Sequence, residues 1–183
     1  MINECFYITG RGGSIHQGLG AFIKSRSHQV TGISLTHDFL HAPFEQQLSS
    51  IQSEFSRLQQ HDIPVIANSY GAYLFLNSLI GVAALQTKVL LLSPVVGTLV
   101  SKIGYFKPPY EGRIPAALCD GTLRKPAQLD ICCGSLDNQC DLAALATLAK
   151  TLHADRYSIL DGQGHMIDKH VVAEVVDTFL SQG

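Results

Sequence analysis

The sequence predicts an α/β fold: a three-layer α/β/α sandwich around a mostly parallel six-stranded sheet. Short apolar runs alternate with amphipathic segments along the chain. The runs are apolar on both faces, which is typical of strands covered by helices on each side of a parallel sheet. With 183 residues, of which 46% are hydrophobic and 15% charged, the chain suits one compact domain spanning 1–183.

Each element follows from its local pattern. Helices are predicted where apolar residues recur at steps of three and four, and strands where short runs are continuously apolar. The predicted strands are 5–8, 30–35, 63–68, 88–94, 129–133 and 157–160. The predicted helices lie around 19–23, over 44–58, from the third strand through Ile80, over 142–152 and over 168–179. Segments 36–43 and 95–126 are predicted to be irregular.

Composition and charge exclude several classes of function. The net charge is −2 and the basic residues are scattered, so no nucleic-acid partner is expected. No apolar run is long enough to span a membrane and no signal peptide is visible, so no membrane partner is expected. The five cysteines form no C-x-x-C pair, which favours buried free thiols in a reducing compartment and a cytoplasmic location.

The junction between the third strand and its helix carries a serine. Ser69 has Ala67 two residues before it and Gly71 two residues after it, close to the G-x-S-x-G nucleophile elbow. A strand that turns into a helix within one residue needs small flanking side chains. The turn presents the hydroxyl above the sheet and directs the first helical N–H groups, including that of Tyr70, toward developing negative charge.

A serine hydroxyl needs a base within hydrogen-bond reach, and the base needs an orienting acid. Asp137 follows the fifth strand and His165 follows the sixth. Both therefore emerge at the same sheet edge as Ser69, in the order Ser, Asp, His. The glycine loop at 9–14 follows the first strand and faces the elbow if strands one and three are neighbours.

At this point the chain resembles the α/β-hydrolase family. The matching stretches are 10–14 for the oxyanion loop, 67–71 for the elbow, 134–137 for the acid and 164–166 for the base. The resemblance covers nearly the whole chain and implies strand order 2-1-3-4-5-6, without the family's two N-terminal antiparallel strands. Two positions depart from the family pattern: Thr9 precedes Gly10 where His is common, and Ala67 replaces the first elbow glycine.

The resemblance implies a serine hydrolase that acts on a small-molecule ester or thioester, without a cofactor. Ser69 would attack the acyl carbon, His165 would move the proton, and Asp137 would hold the imidazole. Backbone N–H groups of Arg11 and Tyr70 would stabilise the oxyanion. Substrate-pocket candidates are Gly10, Gly12, Tyr105, Phe106 and Met166.

Other interpretations stay open for the same residues. Ser69 could only cap its helix, and Asp137 could cap the next one, although Asp141 competes for that position. Asp161 is a second candidate for the acid. His165 could be a surface residue at a helix start, and His170, five positions later, is expected on another face of the same helix. The Arg11 side chain could be solvated or could bind an anionic substrate.

Two segments carry further alternatives. His37 and His41 lie four apart, but a metal site would need a helix there and more ligands, so no metal site is predicted. Segment 95–126 contains Tyr105, Phe106 and Tyr110, and is either a short cap that lines the active site or a surface loop.

Parts of the sequence also resemble other classes of function. The Gly10–Gly13 loop and Asp38 resemble part of a dinucleotide site, but the later glycines of G-x-G-x-x-G are absent and no tyrosine has a lysine four residues on. A non-catalytic binding protein with the hydrolase fold is another alternative. Acyl transfer and carbon–carbon hydrolysis would use the same three side chains. The oligomeric state does not follow from the sequence.

Overall fold

A computed structural model describes residues 4–26, 29–96 and 108–181. Its strands are β1 Glu4–Ile8, β2 Gln29–Ile33, β3 Val65–Asn68, β4 Lys88–Leu92, β5 Gln128–Gly134 and β6 Arg156–Leu160. Its helices are α1 Leu19–Ser25, α2 His37–His41, α3 Phe44–Gln52, α4 Phe55–Gln60, α5 Tyr70–Ser78, α6 Arg113–Cys119, α7 Leu142–Thr151 and α8 Lys169–Ser181.

The six strands form one sheet in the order β2-β1-β3-β4-β5-β6, and every neighbouring pair is parallel. The predicted three-layer fold and strand order are confirmed. Consecutive parallel strands need crossovers, and the helices that supply them cover both faces. All strands therefore end at the same edge, where the loops after β1, β3, β5 and β6 meet.

Two hydrophobic clusters fill the space between the layers. The larger packs α3 to α7 against one face through residues such as Leu48, Tyr73 and Leu145. The smaller packs α1 and α8 against the other face through Ile23, Val176 and Phe179. Burial of this apolar area is the main force that holds the helices onto the sheet.

The predicted helix over 44–58 is divided into α3 and α4. The hydroxyls of Ser49 and Ser50 donate to the carbonyl oxygens four residues earlier, at 2.8 and 2.9 Å. The hydroxyl of Ser53 donates to Ser50 O at 2.9 Å. Such bonds compete with the helical ladder and weaken it. The apolar stripe continues across the break, because Ile51 and Phe55 are both buried.

Two segments predicted to be irregular contain helices. Within 36–43, Thr36 caps the short helix α2 by accepting the Phe39 N–H. Within 95–126, α6 begins at Arg113, and Pro115 lies in its first turn, where a missing N–H costs little. Both predictions of irregular structure were wrong at these residues.

The sixth strand was predicted to be buried on both faces, which is wrong. Residues 156–159 of β6 are exposed, including Tyr157 and Ile159 at 39% and 40%. Since β6 lies at the edge of the sheet, only one neighbouring strand covers it.

The prediction of buried thiols also needs one correction. Cys5, Cys132, Cys133 and Cys140 are buried, whereas Cys119 is exposed. Cys119 is the last residue of α6, a helix that buries only Ile114 and Ala117. No helix in the described part of the chain is long and apolar enough to cross a membrane.

Candidate active site

The turn from β3 into α5 has the backbone of a nucleophile elbow. Ser69 adopts φ 54° and ψ −120°, a conformation that residues with a side chain rarely occupy. The Ser69 N–H donates to Leu92 O at 2.9 Å, and the Ser69 carbonyl accepts from Ala72 N at 3.1 Å. The strand thus becomes helix at a single residue.

The Ser69 side chain does not cap α5, although it occupies the N-cap position. Its Oγ lies 2.8 Å from His165 Nε2. The His165 Nδ1 in turn lies 2.9 Å from both carboxylate oxygens of Asp137. The three side chains predicted from separate loops therefore form one continuous chain of hydrogen bonds.

The Asp137 carboxylate is fully buried, and the His165 side chain is 11% exposed. Burial alone would raise the pKa of Asp137, because it disfavours the charged form. The hydrogen bond and charge of His165 outweigh burial, with smaller contributions from the N–H of Gln139 and the thiol of Cys133, and they hold the Asp137 pKa below its ordinary value. Asp137 is therefore an ionised partner for the imidazole at neutral pH.

The rival residues have other partners. Asp141 caps α7 by accepting the N–H groups of Ala143 and Ala144, both at 3.0 Å. Asp161 accepts from the Ser135 hydroxyl at 3.5 Å. His170 lies exposed on α8. Geometry thus favours Asp137 as the acid partner and His165 as the base partner.

The glycine loop after β1 lies directly against the elbow. A Cβ placed on Gly10 would be 3.3 Å from the Ser69 Cβ, so the loop approaches closer than most side chains would permit. The Gly13 N–H donates to Gly10 O at 2.9 Å, which makes Arg11 and Gly12 the tip of a turn. Gly12 has φ 71°, which suits glycine, and its N–H donates to Leu35 O at 2.8 Å.

Tyr70 is the first residue of α5, so its N–H belongs to the helix N-terminus that carries partial positive charge. The loop at Gly10 lies against Ser69, and the two predicted oxyanion donors, Arg11 and Tyr70, each directly follow one of the two residues in that contact.

Aromatic side chains lie beside the first turn of α5. Tyr70 stacks on Tyr73 with ring centroids 5.7 Å apart, and Phe44 lies 5.2 Å from Tyr110 and 6.3 Å from Tyr73. The Tyr73 hydroxyl donates to Pro109 O. Pro109 and Tyr110 of segment 95–126 therefore pack beside the first turn of α5, which begins directly after Ser69.

Of the remaining predicted pocket residues, only Met166 is among those that the structure describes. Met166 follows His165 in the chain and is 88% exposed. Tyr105 and Phe106 lie outside the described residues.

The helix required for a His37–His41 pair is present, and their Nε2 atoms are 2.9 Å apart. Among the described residues, no group of three or more His, Cys, Asp or Glu side chains could hold a metal ion.

Sequence reasoning missed two contacts of Asp137. The Gln139 N–H donates to Oδ1 at 2.8 Å, and the Cys133 thiol donates to Oδ2 at 3.4 Å. Cys133 was interpreted only as a core residue. The one signal in the sequence is its position at the end of an apolar strand, four residues before the predicted acid.

The strained elbow leads to a prediction about stability. A residue with a side chain in this region costs about 1–3 kcal/mol, and glycine removes most of that cost. We expect Ser69→Gly to have a free energy of unfolding about 1 kcal/mol above that of Ser69→Ala. Both variants lose the hydroxyl, so the difference isolates the backbone. Urea denaturation measures it; equal midpoints, or a more stable Ala variant, would contradict stored strain.

Comparisons with known proteins support the architecture. No family model and no curated protein matches the sequence. Among solved structures, the chain is similar to mouse alpha/beta hydrolase domain-containing protein 10, with TM-score 0.68 and 13% identity over 98% of this chain and 90% of the other.

Two further structures show the same similarity. An esterase from Thermogutta terrifontis, solved with butyrate bound, has TM-score 0.61 and 15% identity over 97% of this chain and 81% of the other. An uncharacterised Bacillus cereus protein has TM-score 0.59 and 10% identity over 97% of this chain, which spans 60% of that protein's length. With the observed strand order, these similarities show that the chain has the fold of the α/β-hydrolase superfamily.

Proposed function

We propose that the chain is a serine hydrolase that cleaves a carboxylic ester or thioester of a small molecule. The observation that carries this proposal is the unbroken hydrogen-bond chain from Ser69 through His165 to Asp137, centred on a serine with positive φ. A serine that only capped α5 would turn its hydroxyl toward the helix. Structural neighbours named hydrolase and esterase support the same class of reaction.

In the proposed mechanism, Ser69 Oγ attacks the acyl carbon while His165 Nε2, 2.8 Å away, accepts the hydroxyl proton. Asp137 holds Nδ1–H and stabilises the imidazolium that forms. His165 then protonates the leaving alcohol or thiol. Water attacks the acyl-enzyme with His165 as base, which releases the acid and restores Ser69.

The oxyanion of each tetrahedral intermediate is proposed to lie between the N–H groups of Arg11 and Tyr70. One such donor is worth about 3 kcal/mol of transition-state stabilisation in other serine hydrolases. Gly10 contributes by its lack of a side chain, because a Cβ there would crowd Ser69 at 3.3 Å. The acyl or alcohol group would pass Gly12 and Met166 at the rim and the aromatic residues beside α5.

The location, the partners and the absence of a cofactor stay predictions from the sequence. The proposed steps use only side chains and backbone N–H groups of this chain.

A fluorophosphonate probe tests the proposal, because it labels only an activated serine. We expect the wild-type protein to be labelled at Ser69 and Ser69→Ala to be unlabelled. Ser49→Ala is the control, since Ser49 is an exposed serine of α3 whose hydroxyl bonds the Glu45 carbonyl and no residue of the site. That variant should label like wild type. Folded wild-type protein that resists the probe would refute the proposed nucleophile.

A further inference from the structure

The acid of the proposed triad is held by a side chain that is buried in the core. Cys133 lies at the end of β5 and is 0% exposed, and its Sγ donates to Asp137 Oδ2 at 3.4 Å. The other oxygen, Oδ1, accepts from the Gln139 N–H at 2.8 Å. One donor therefore fixes each oxygen of the carboxylate.

The rotation of the Asp137 carboxylate determines how its oxygens face the Nδ1 atom of His165. Both oxygens lie 2.9 Å from His165 Nδ1, so the carboxylate presents its two oxygens evenly to the imidazole. Without the thiol, only the Gln139 N–H on Oδ1 and the imidazole itself would oppose rotation of the carboxylate about its Cβ–Cγ bond. The thiol on Oδ2 restricts that rotation.

We propose that Cys133 is a positioning residue: its thiol fixes the Asp137 carboxylate in the rotation that holds the His165 imidazole toward Ser69. This inference rests on the proposed serine hydrolase function. It assigns Cys133 no contact with substrate, and its effect acts entirely through Asp137.

The neighbouring cysteine provides a matched control. Cys132 is 2% exposed in the same strand but packs in the cluster on the opposite face of the sheet, away from Asp137. Cys132→Ala therefore removes a buried thiol of equal size without removing the hydrogen bond. Any loss of stability that comes only from shortening a buried side chain in β5 appears in both alanine variants.

The kinetic test compares Cys133→Ala, Cys133→Ser and Cys132→Ala with p-nitrophenyl acetate as substrate. A thiol is a weak donor, and a hydrogen bond to a charged group is worth more than a neutral one, so we expect Cys133→Ala to lower kcat/KM about threefold to tenfold. Cys133→Ser keeps a donor and should recover most of that loss. Cys132→Ala should stay near wild type.

The order of the variants separates positioning from packing. At a core position that only fills space, alanine is less destabilising than serine, because a buried hydroxyl that lacks a hydrogen-bond partner costs free energy. If Cys133 only fills space, Ser should be the worse variant in both thermal stability and kcat/KM. We expect Ser to be the better variant in kcat/KM.

A second readout does not depend on turnover. The Nδ1 proton of His165, assigned by its disappearance in His165→Ala, is followed by proton NMR. We expect this proton to exchange with water several-fold faster in Cys133→Ala than in wild type, Cys133→Ser or Cys132→Ala. Equal exchange in all four proteins, or Ser inferior to Ala in kcat/KM, would overturn the proposed role. Absence of Ser69-dependent labelling would instead refute the hydrolase proposal, while the exchange rates would still decide the role of Cys133.

Discussion

Replacing His165 with alanine should lower kcat for ester hydrolysis by about 10⁴- to 10⁶-fold and leave the protein folded. The imidazole is the only group in contact with both Ser69 Oγ and Asp137, at 2.8 and 2.9 Å, among the contacts of the described residues. Without it the hydroxyl has no base, and the buried carboxylate keeps only its hydrogen bonds from the Gln139 N–H and the Cys133 thiol. The residual rate would come from substrate binding and the oxyanion donors.

The control for this variant is His170→Ala, which removes an exposed histidine from α8 just beyond the same loop. It should retain wild-type activity. A double variant, Ser69→Ala with His165→Ala, should be no slower than either single variant, because residues that act as one unit are not additive. Initial rates with p-nitrophenyl acetate and circular dichroism spectra measure both points. A His165→Ala enzyme that keeps more than a tenth of the activity would contradict the proposed base.

The position of the candidate site was largely predictable because chain order and strand ends determine it. A parallel sheet collects the ends of its strands at one edge, so Ser69, Asp137 and His165 had to emerge there once the strands were identified. Their separation along the chain, 96 residues from Ser69 to His165, did not matter. Short, continuously apolar runs identified the strands, and the resemblance to a known family supplied their order.

Details that depend on local hydrogen bonds were less predictable. The break between α3 and α4 reflects serine hydroxyls that bond to backbone carbonyls, which an apolar stripe does not reveal. The exposure of β6 depends on its position at the sheet edge rather than on its own residues. The contact between Cys133 and Asp137 joins a strand to the loop after it, and a thiol in an apolar run gives little sign of that contact.

Gly71 is the residue at which fold and proposed function depend on the same contact. A Cβ on Gly71 would lie 2.3 Å from Thr9 O and 2.9 Å from both Ile8 Cγ2 and Ile8 O. These atoms end β1 and begin the glycine loop, so the side chain of alanine would meet backbone that cannot simply rotate away. The clash can be relieved only if α5 and β1 separate, which would also move Ser69 away from the loop at Gly10.

We therefore expect Gly71→Ala to lower the free energy of unfolding by about 3 kcal/mol, because overpacking against backbone belongs to the most destabilising class of substitution. Any folded fraction should also lose at least about 100-fold in kcat/KM, since a displacement near 1 Å between nucleophile and oxyanion donors has that effect. Gly112→Ala is the matched control: Gly112 caps α6 with φ −77° and has nothing within 4 Å of an added Cβ. That substitution should be neutral or slightly stabilising, because it only reduces the entropy of the unfolded chain. Urea denaturation and initial rates, measured on both variants, separate the two outcomes. A Gly71→Ala protein as stable and as active as Gly112→Ala would show that the approach of α5 to β1 is looser than these distances require, and the elbow would then not depend on a small residue at position 71.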